Sequence, residues 1–409
     1  MNKHSNQNST VDFKQLELNA LLEITQAINS NTSEENIYKI YHFTLRANLI
    51  IKKMALFVLE NNSWNCKLHF GCSPEIVKID PAQSLPLNNQ ISIIEHNEKN
   101  SMFKDFDVVI PVAHKNQLLA YVLVDGDEAF GEDAKTQKFK FIQTLSNILL
   151  VAIENKRFAR KQIEQEALRK ELEIAAQVQS MLIPGKLPNH NHFQLHSTYF
   201  PHQTIGGDYY DYINVSEDCF YVCIADVSGK GIPAAIFMSN FQATLRTLIA
   251  ENLDLKTIIR KLNTLTQKNT GGDYFVTFFI ALIDIKAKSL TYVNAGHNAP
   301  YLLKPNEELL SLNKGSVMIG AFEELPFVDQ ENIKFEKGDL LFMYTDGLVE
   351  TNNEEGVEFG EENLEKIILK YQNQPQESLH QEIIIALDRH KGLALKYKDD
   401  VTLFSMKMK

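Results

Sequence analysis

Between Asn147 and Ile183 the chain holds neither glycine nor proline, and charged residues alternate with apolar ones at helical spacing. Such a stretch runs on as one helix, on the order of 50 Å long, until Pro184, which lacks the amide that the next turn needs. Leu168, Leu172, Ala175 and Leu182 fall on one stripe, and Ala167, Ile174, Val178 and Met181 on a neighbouring one. One stripe is available to a second chain and the other to the domain that follows; the plainer reading is a solvated connector with a short coiled-coil seam. The helix divides the chain of 409 residues, 44% of them apolar, into parts that can each bury a core. The expected divisions are a disordered polar tail at 1–10, a domain at 11–155, a helical linker at 156–185 and a second domain at 186–409.

Forty-one basic and fifty-two acidic side chains leave a net charge of -11, with no run of lysine or arginine that would track a phosphate backbone. Nucleic acid is therefore not an expected partner. The polar start lacks the apolar core of a secretory signal, and the longest apolar run, 148–153, is far short of the ~20 residues of a membrane span. A cytoplasmic protein is expected. Cys66, Cys72, Cys219 and Cys223 show no zinc-like spacing and read as reduced, buried thiols.

In the first part, Leu16, Leu18, Leu21, Leu22, Ile24 and Ile28 supply the apolar side of a helix, and a second helix is expected at 35–46. Strands at 53–59, 64–70, 107–112 and 118–124 follow, then a helix at 136–158. This element order loosely resembles a GAF-type sensory domain, which implies a place for a small-molecule or protein signal; a pocketless dimerisation domain is the alternative. In the last part, strands are expected at 193–200, 209–213, 219–226, 274–285, 290–295, 301–304, 332–335, 340–345 and 401–406. Helices are expected at 232–252, 255–267, 361–371 and 375–389. Many antiparallel strands with paired helices predict an α+β class, with two sheets face to face and helices on both outer sides.

Four aspartates stand out in this second part. Asp208 lies in Gly206-Gly207-Asp208-Tyr209-Tyr210-Asp211, Asp226 in Ala225-Asp226-Val227-Ser228-Gly229-Lys230-Gly231, Asp346 in Tyr344-Thr345-Asp346-Gly347 and Asp399 in Lys398-Asp399-Asp400-Val401-Thr402. Three of them border runs of β-branched and aromatic residues, where a strand delivers a carboxylate to the rim of a sheet. Converging carboxylates repel unless a cation sits between them, and magnesium or manganese is the cation that oxygen donors favour. Asp226 suits a bridging role because a strand ends beside it and the turn 227–231 leaves it open. Val227 adds its backbone oxygen, and Pro233 is tolerated in the first turn of the helix that follows. A phosphate loop is excluded, since no GxxxxGK[ST] occurs.

Together with Asn294-Ala295-Gly296-His297-Asn298-Ala299-Pro300, Thr345-Asp346-Gly347-Leu348-Val349-Glu350 and Asp399-Asp400-Val401-Thr402-Leu403, these motifs resemble, in order, those of the SpoIIE/RsbU-type branch of the PPM metal-dependent serine/threonine protein phosphatases. The resemblance covers the chain from about residue 171 to the end. It implies an αββα sandwich binding two manganese or magnesium ions that share an activated water, with Asp208 and Asp226 holding the pair. Asp346 and Asp399 complete the second ion's shell, and Val227 contributes its carbonyl. Two ions of this kind bring a bridging water down toward a pKa of ~7, so attack on phosphoserine or phosphothreonine needs no protein nucleophile. A homodimer is expected from the helix stripe open to a second chain, and the resemblance implies, as substrate, a phosphorylated anti-sigma-factor antagonist of the STAS type. The rivals are a catalytically inactive phosphatase-fold scaffold, against which all four aspartates count, and a hydrolase of small phosphoesters.

Neighbouring residues are read more plainly. Asp211 and Asp400 are expected to face away from the site, Asp211 toward the surface or in a supporting role. His297 is expected to be structural in a tight turn rather than a general acid. His190, His192, His196 and His202 match no zinc spacing and are read as solvated or hydrogen-bonded. Arg246 is read as exposed or structural, and Lys230 as a solvated turn residue that can steer an anion.

Overall fold

The computed structural model describes residues 4–30, 32–83, 85, 90–94, 102–114, 117–126, 132–188, 190–202, 204–392 and 397–409. The chain divides into two compact units, Met1–Glu166 and Ala167–Lys409.

The first unit opens with α1 (His4–Asn29), which begins inside the stretch read from sequence as a disordered tail; residues 1–3 of that tail lie outside the described residues. α2 (Glu34–Asn48) is capped by Ser33, whose hydroxyl accepts from the Asn36 amide. β1 (Met54–Glu60), β2 (Ser63–Phe70), β3 (Ser92–Ile93), β4 (Val108–His114) and β5 (Gln117–Val124) form one antiparallel sheet in the order β2-β1-β5-β4-β3. Asn61 and Asn62 both adopt positive φ, which turns β1 into β2 through a two-residue loop. Strand alternation splits the apolar side chains between two faces. Leu56, Val58, Ile110 and Val122 pack with Ile37, Tyr41 and Leu145, while Phe57, Val109 and Tyr121 pack with Ile76, Phe103 and Phe106.

α3 (Glu132–Ser180) is a single helix of 49 residues, as the lack of glycine and proline predicts. It ends four residues before Pro184, where the sequence reading has it end, because Met181 and Leu182 turn their amides back to Val178 and Gln179 in tighter turns. Leu168, Ile174, Val178 and Met181 are exposed, so both apolar stripes are largely bare. Gln179 and Ile183 are the residues buried at this end.

The second unit holds two sheets. One has the order β13-β10-β9-β8-β7, with β14 also paired to β10: β7 (Tyr209–Asn214), β8 (Cys219–Val227), β9 (Val276–Asp284), β10 (Ser289–Ala295), β13 (Gly315–Ser316) and β14 (Glu331–Lys334). The other has the order β12-β11-β15-β16-β6: β6 (Phe193–Phe200), β11 (Tyr301–Leu303), β12 (Leu309–Ser311), β15 (Leu340–Tyr344) and β16 (Val401–Met408). Alternate residues of the second sheet, Leu302, Leu341, Met343, Phe404 and Met406, share a core with Val222, Ile224, Phe278 and Ile280 of the first. α4 (Ile232–Ala250) and α5 (Leu255–Thr270) extend that core through Met238, Phe241 and Ile258. On the second sheet's other face, Phe342, Tyr344 and Leu403 pack with Leu364 of α7 (Glu361–Tyr371) and Ile383 of α8 (Gln376–Lys391). The fold is mixed α+β, with two facing sheets and a helix pair beside each.

α6 (Asp346–Val349), β12 and β13 are too short to carry a periodic signal and do not appear in the sequence reading. β8 runs one residue beyond the expected end at Asp226, to Val227, because both residues stay paired, with Thr277 and Val276. All four cysteines are free, but only Cys223 is buried; Cys66, Cys72 and Cys219 are half-buried. Among the described residues, no helix is long and apolar enough to cross a membrane.

Candidate metal centre

Strand register brings the aspartates to one end of the two sheets. Tyr209 pairs with Ala225, so Asp208, one residue earlier, lies level with Asp226 on the adjoining strand. In the facing sheet Tyr344 pairs with Leu403, which places Thr345-Asp346 beside the Asp399-Asp400 approach to β16. The sheets are tied at this rim. Thr345 donates to Asp208 Oδ2 at 2.8 Å, and Thr402 donates to the same oxygen. Thr345 Oγ1 in turn accepts from the Thr402 amide at 3.0 Å.

The carboxylates feel one another. Burial holds the Asp208 carboxyl well above the usual carboxylate range, and the charges of Asp226 and Asp400 add to the shift against the two threonine hydroxyls. Asp226 is pushed up to about 8 by burial, then by Asp346, Asp399 and Asp400. Asp346 rises to about 6 through burial, then through Glu350 and Asp399. Each shift reports the cost of ionising inside a field of like charge. Asp399 has a cation of its own, since Lys230 Nζ stands 2.6 Å from its Oδ2.

Glycines allow the close approaches. A Cβ on Gly206 would stand 2.0 Å from the Tyr199 hydroxyl and 2.3 Å from Asp400 Oδ2, and one on Gly347 would meet the Asp400 carbonyl oxygen at 2.0 Å. Gly207 faces the Val227 carbonyl oxygen, 3.1 Å from where its Cβ would be. Any side chain at Gly206 or Gly347 would push the strand ends apart.

Asp400 is the functional residue that the sequence reading misjudged. It does not turn away. Its Oδ2 accepts from the Gly207 amide at 2.6 Å and the Asp208 amide at 3.4 Å, and its Oδ1 accepts from the His202 amide at 2.7 Å. The amides of Gly207 and Asp208, just ahead of β7, are the signal that could have found it, since such donors need an acceptor. Asp211 is no surface residue either. It is fully buried, accepts from the Tyr209 hydroxyl and forms a two-pronged pair with Arg246 at 2.8 and 2.9 Å. Arg246 is thereby committed to bracing β7 against α4.

His297 is buried, with Nδ1 at 2.8 Å from the Thr277 hydroxyl and its backbone clasped by Asn294; burial lowers it to about 4. His190 stacks on Phe193, His196 meets His380 edge-on and His202 bonds the Tyr397 carbonyl. His190, His192, His196 and His202 form no metal-ligand group among the described residues.

Among the described residues, no three His, Cys, Asp or Glu side chains stand close enough to close around one ion. The donor set nevertheless suits a hard cation. It consists of carboxylate oxygens at the ends of paired strands, one carbonyl oxygen at a glycine gap, and like charges that a divalent ion would relieve.

Residues 216–409 match the family model for Stage II sporulation protein E. The chain is similar to Phosphoserine phosphatase RsbU of Bacillus subtilis, 27% identical over 246 residues, covering 60% of this chain and 72% of RsbU. It is also similar to Phosphoserine phosphatase RsbP of the same organism, 27% identical over 186 residues, covering 44% of this chain and 46% of RsbP. The SiaA-PP2C domain of Pseudomonas aeruginosa superposes with a TM-score of 0.54 at 19% identity, over 60% of this chain and 99% of that domain, a likeness of fold. The family-model match and these relatives identify a SpoIIE-type PPM (PP2C) serine/threonine phosphatase domain over residues 216–409, and the facing sheets and the SiaA likeness agree with it in fold.

Proposed function

We propose that the chain removes phosphate from phosphoserine or phosphothreonine on a regulatory protein, with two manganese or magnesium ions held by Asp208, Asp226, the Val227 carbonyl, Asp346 and Asp399. The tie across the sheets carries this reading. Two threonine hydroxyls fix one oxygen of Asp208, whose carboxyl lies against that of Asp226, and Asp226 in turn feels the charges of Asp346 and Asp399. When bound, the ions supply neutralisation of phosphoryl charge and a water acidic enough to lose its proton near pH ~7. The protein's own part is positioning. Asp400 spends both oxygens on backbone amides and holds the turn that presents Asp208. Arg246 is tied to the buried Asp211, whereas Lys230, paired with the partly exposed Asp399, is a cation at the rim able to turn to an anionic substrate.

The substrate class follows RsbU and RsbP, both phosphoserine phosphatases. A phosphorylated anti-sigma-factor antagonist of the STAS type is the partner that the motif resemblance favours. The first unit, two helices and an antiparallel sheet followed by α3, supports a GAF-like sensory role. The exposed Ile174, Val178 and Met181 on and just beyond α3 support pairing with a second copy. A signal would enter the site through Gln179, whose amide donates to the Gly206 carbonyl at 2.7 Å. The test is phosphate release from a phosphoserine protein with manganese or with chelator. Wild type should act only with metal, and Asp226→Ala should lose at least about a hundredfold in rate, the scale of removing one electrostatic stabiliser. Equal rates in chelator, or in the variant, would overturn the assignment.

A further inference from the structure

Lys230 sits between two glycines with positive φ, Gly229 at 94° and Gly231 at 71°, in an exposed turn ahead of α4. Its ammonium nevertheless makes two defined contacts, at 2.6 Å to Asp399 Oδ2 and at 2.6 Å to the Lys398 carbonyl oxygen. Asp399 is the aspartate at the rim in direct contact with a cation, while Asp226 and Asp346 face mainly like charge, Lys230 easing Asp346 only by its field. An ammonium donates up to three hydrogen bonds and needs no dehydrated cage, so it can occupy a carboxylate that a divalent ion would otherwise take.

We propose that Lys230 is a resident counter-cation that competes with the outer divalent ion for Asp399 and so weakens that site's metal affinity. This rests on Asp399 being a metal ligand. For Asp399 to join an ion, the Lys230 contact must open, and the flanking glycines give the turn the backbone freedom to let it go. Lys230 is then released at the rim with its charge intact. The metal requirement of the enzyme is set in part by a side chain that holds no metal.

The test is direct manganese binding to the full-length, chelator-stripped protein, read by calorimetry and by electron paramagnetic resonance of free manganese. The pair is partly exposed, so its loss is worth about a two- to fivefold change in affinity. Lys230→Met should tighten the weaker of two sites by about that factor at low salt, and by less at high salt, where the pair is screened. Lys230→Arg keeps the charge and should track wild type. In an Asp399→Asn background the gain from Lys230→Met should shrink below about twofold, the signature of coupled residues. Unchanged or weaker binding in Lys230→Met, with wild type still binding manganese, would overturn this inference alone. No manganese binding by any variant would remove the metal reading and this inference with it.

Discussion

Asp400 and Asp211 each stand near a proposed ligand in sequence, and their partners separate their roles. Asp400 neutralises three backbone amides in the turn that carries Asp208, whereas Asp211 pairs with Arg246 and Tyr209 beneath β7. Removing either acceptor strands buried donors, at a cost of about 1–3 kcal/mol each. Asp400→Ala should therefore destabilise the second unit by about 2–4 kcal/mol and also weaken manganese binding at least tenfold, because the turn at Asp208 loses its anchor. Asp211→Asn should lower stability comparably while leaving manganese affinity within about twofold, since the hydrogen bonds of its carboxylate run to Tyr209, Tyr212 and Arg246 and none reaches Asp208, Asp226, Asp346 or Asp399. Thermal unfolding and metal titration of the two variants check the contrast, and equal losses of affinity would contradict it.

Among the elements, the sheet ends deliver the proposed ligands, and two histidines buried in the second unit carry the acid sensitivity. His380 of α8 lies buried between hydroxyls, Nδ1 at 2.9 Å from Thr198 on β6 and Nε2 at 2.9 Å from Ser405 on β16, and burial holds it well below its ordinary range. His297, after β10, is lowered to about 4. Both stay neutral in the fold but bind protons near pH 6.5 once unfolded, so the unfolded chain gains protons first as pH falls. Their contribution is whole above about pH 6.5 and drains away below it; for His297 the loss by pH 4 is on the order of 3 kcal/mol. Across pH 6.5 to 4.5 the unfolding midpoint of His380→Gln should move upward relative to wild type, the aspartate contributions being common to both, and a constant difference would count against it.

The same elements show what the sequence made legible. Long strands and helices with a clean period, such as β8, β16, α5 and α7, are readable from alternation or from a 3–4 stripe. Asp208, Asp226 and Asp346 are readable because each stands at a strand edge with glycine within three residues, and Asp399 because it leads into the apolar run of β16. Asp400 and Asp211 are not, because their partners come from residues 193 and 35 positions away along the chain. The end of α3 at Ser180 is likewise invisible, since tight turns before a proline leave no mark in composition.

At the scale of the molecule, two units with separate cores share one helix, and the proposed metal residues all belong to the second. Metal should therefore act on one unfolding transition and leave the other alone. In the metal-free fold Asp226 ionises at about 8 and Asp346 at about 6, against 3.8 for the free side chain. A raised folded-state pKa means that the native state holds protons which the unfolded chain has released. Stability from this source is present at low pH and lost as pH climbs through 6 and 8. A divalent ion reverses that loss by replacing the protons, and it competes with fewer of them at higher pH. Excess manganese at about a hundred times its Kd should stabilise the second unit by about 2.7 kcal/mol. The gain in melting temperature should be larger at pH 8 than at pH 6, with no shift in the first unit's transition. Scanning calorimetry with manganese and with chelator at both pH values gives the comparison. A gain that is equal at the two pH values, or one that survives Asp226→Asn, would show that the ion binds somewhere other than among these carboxylates.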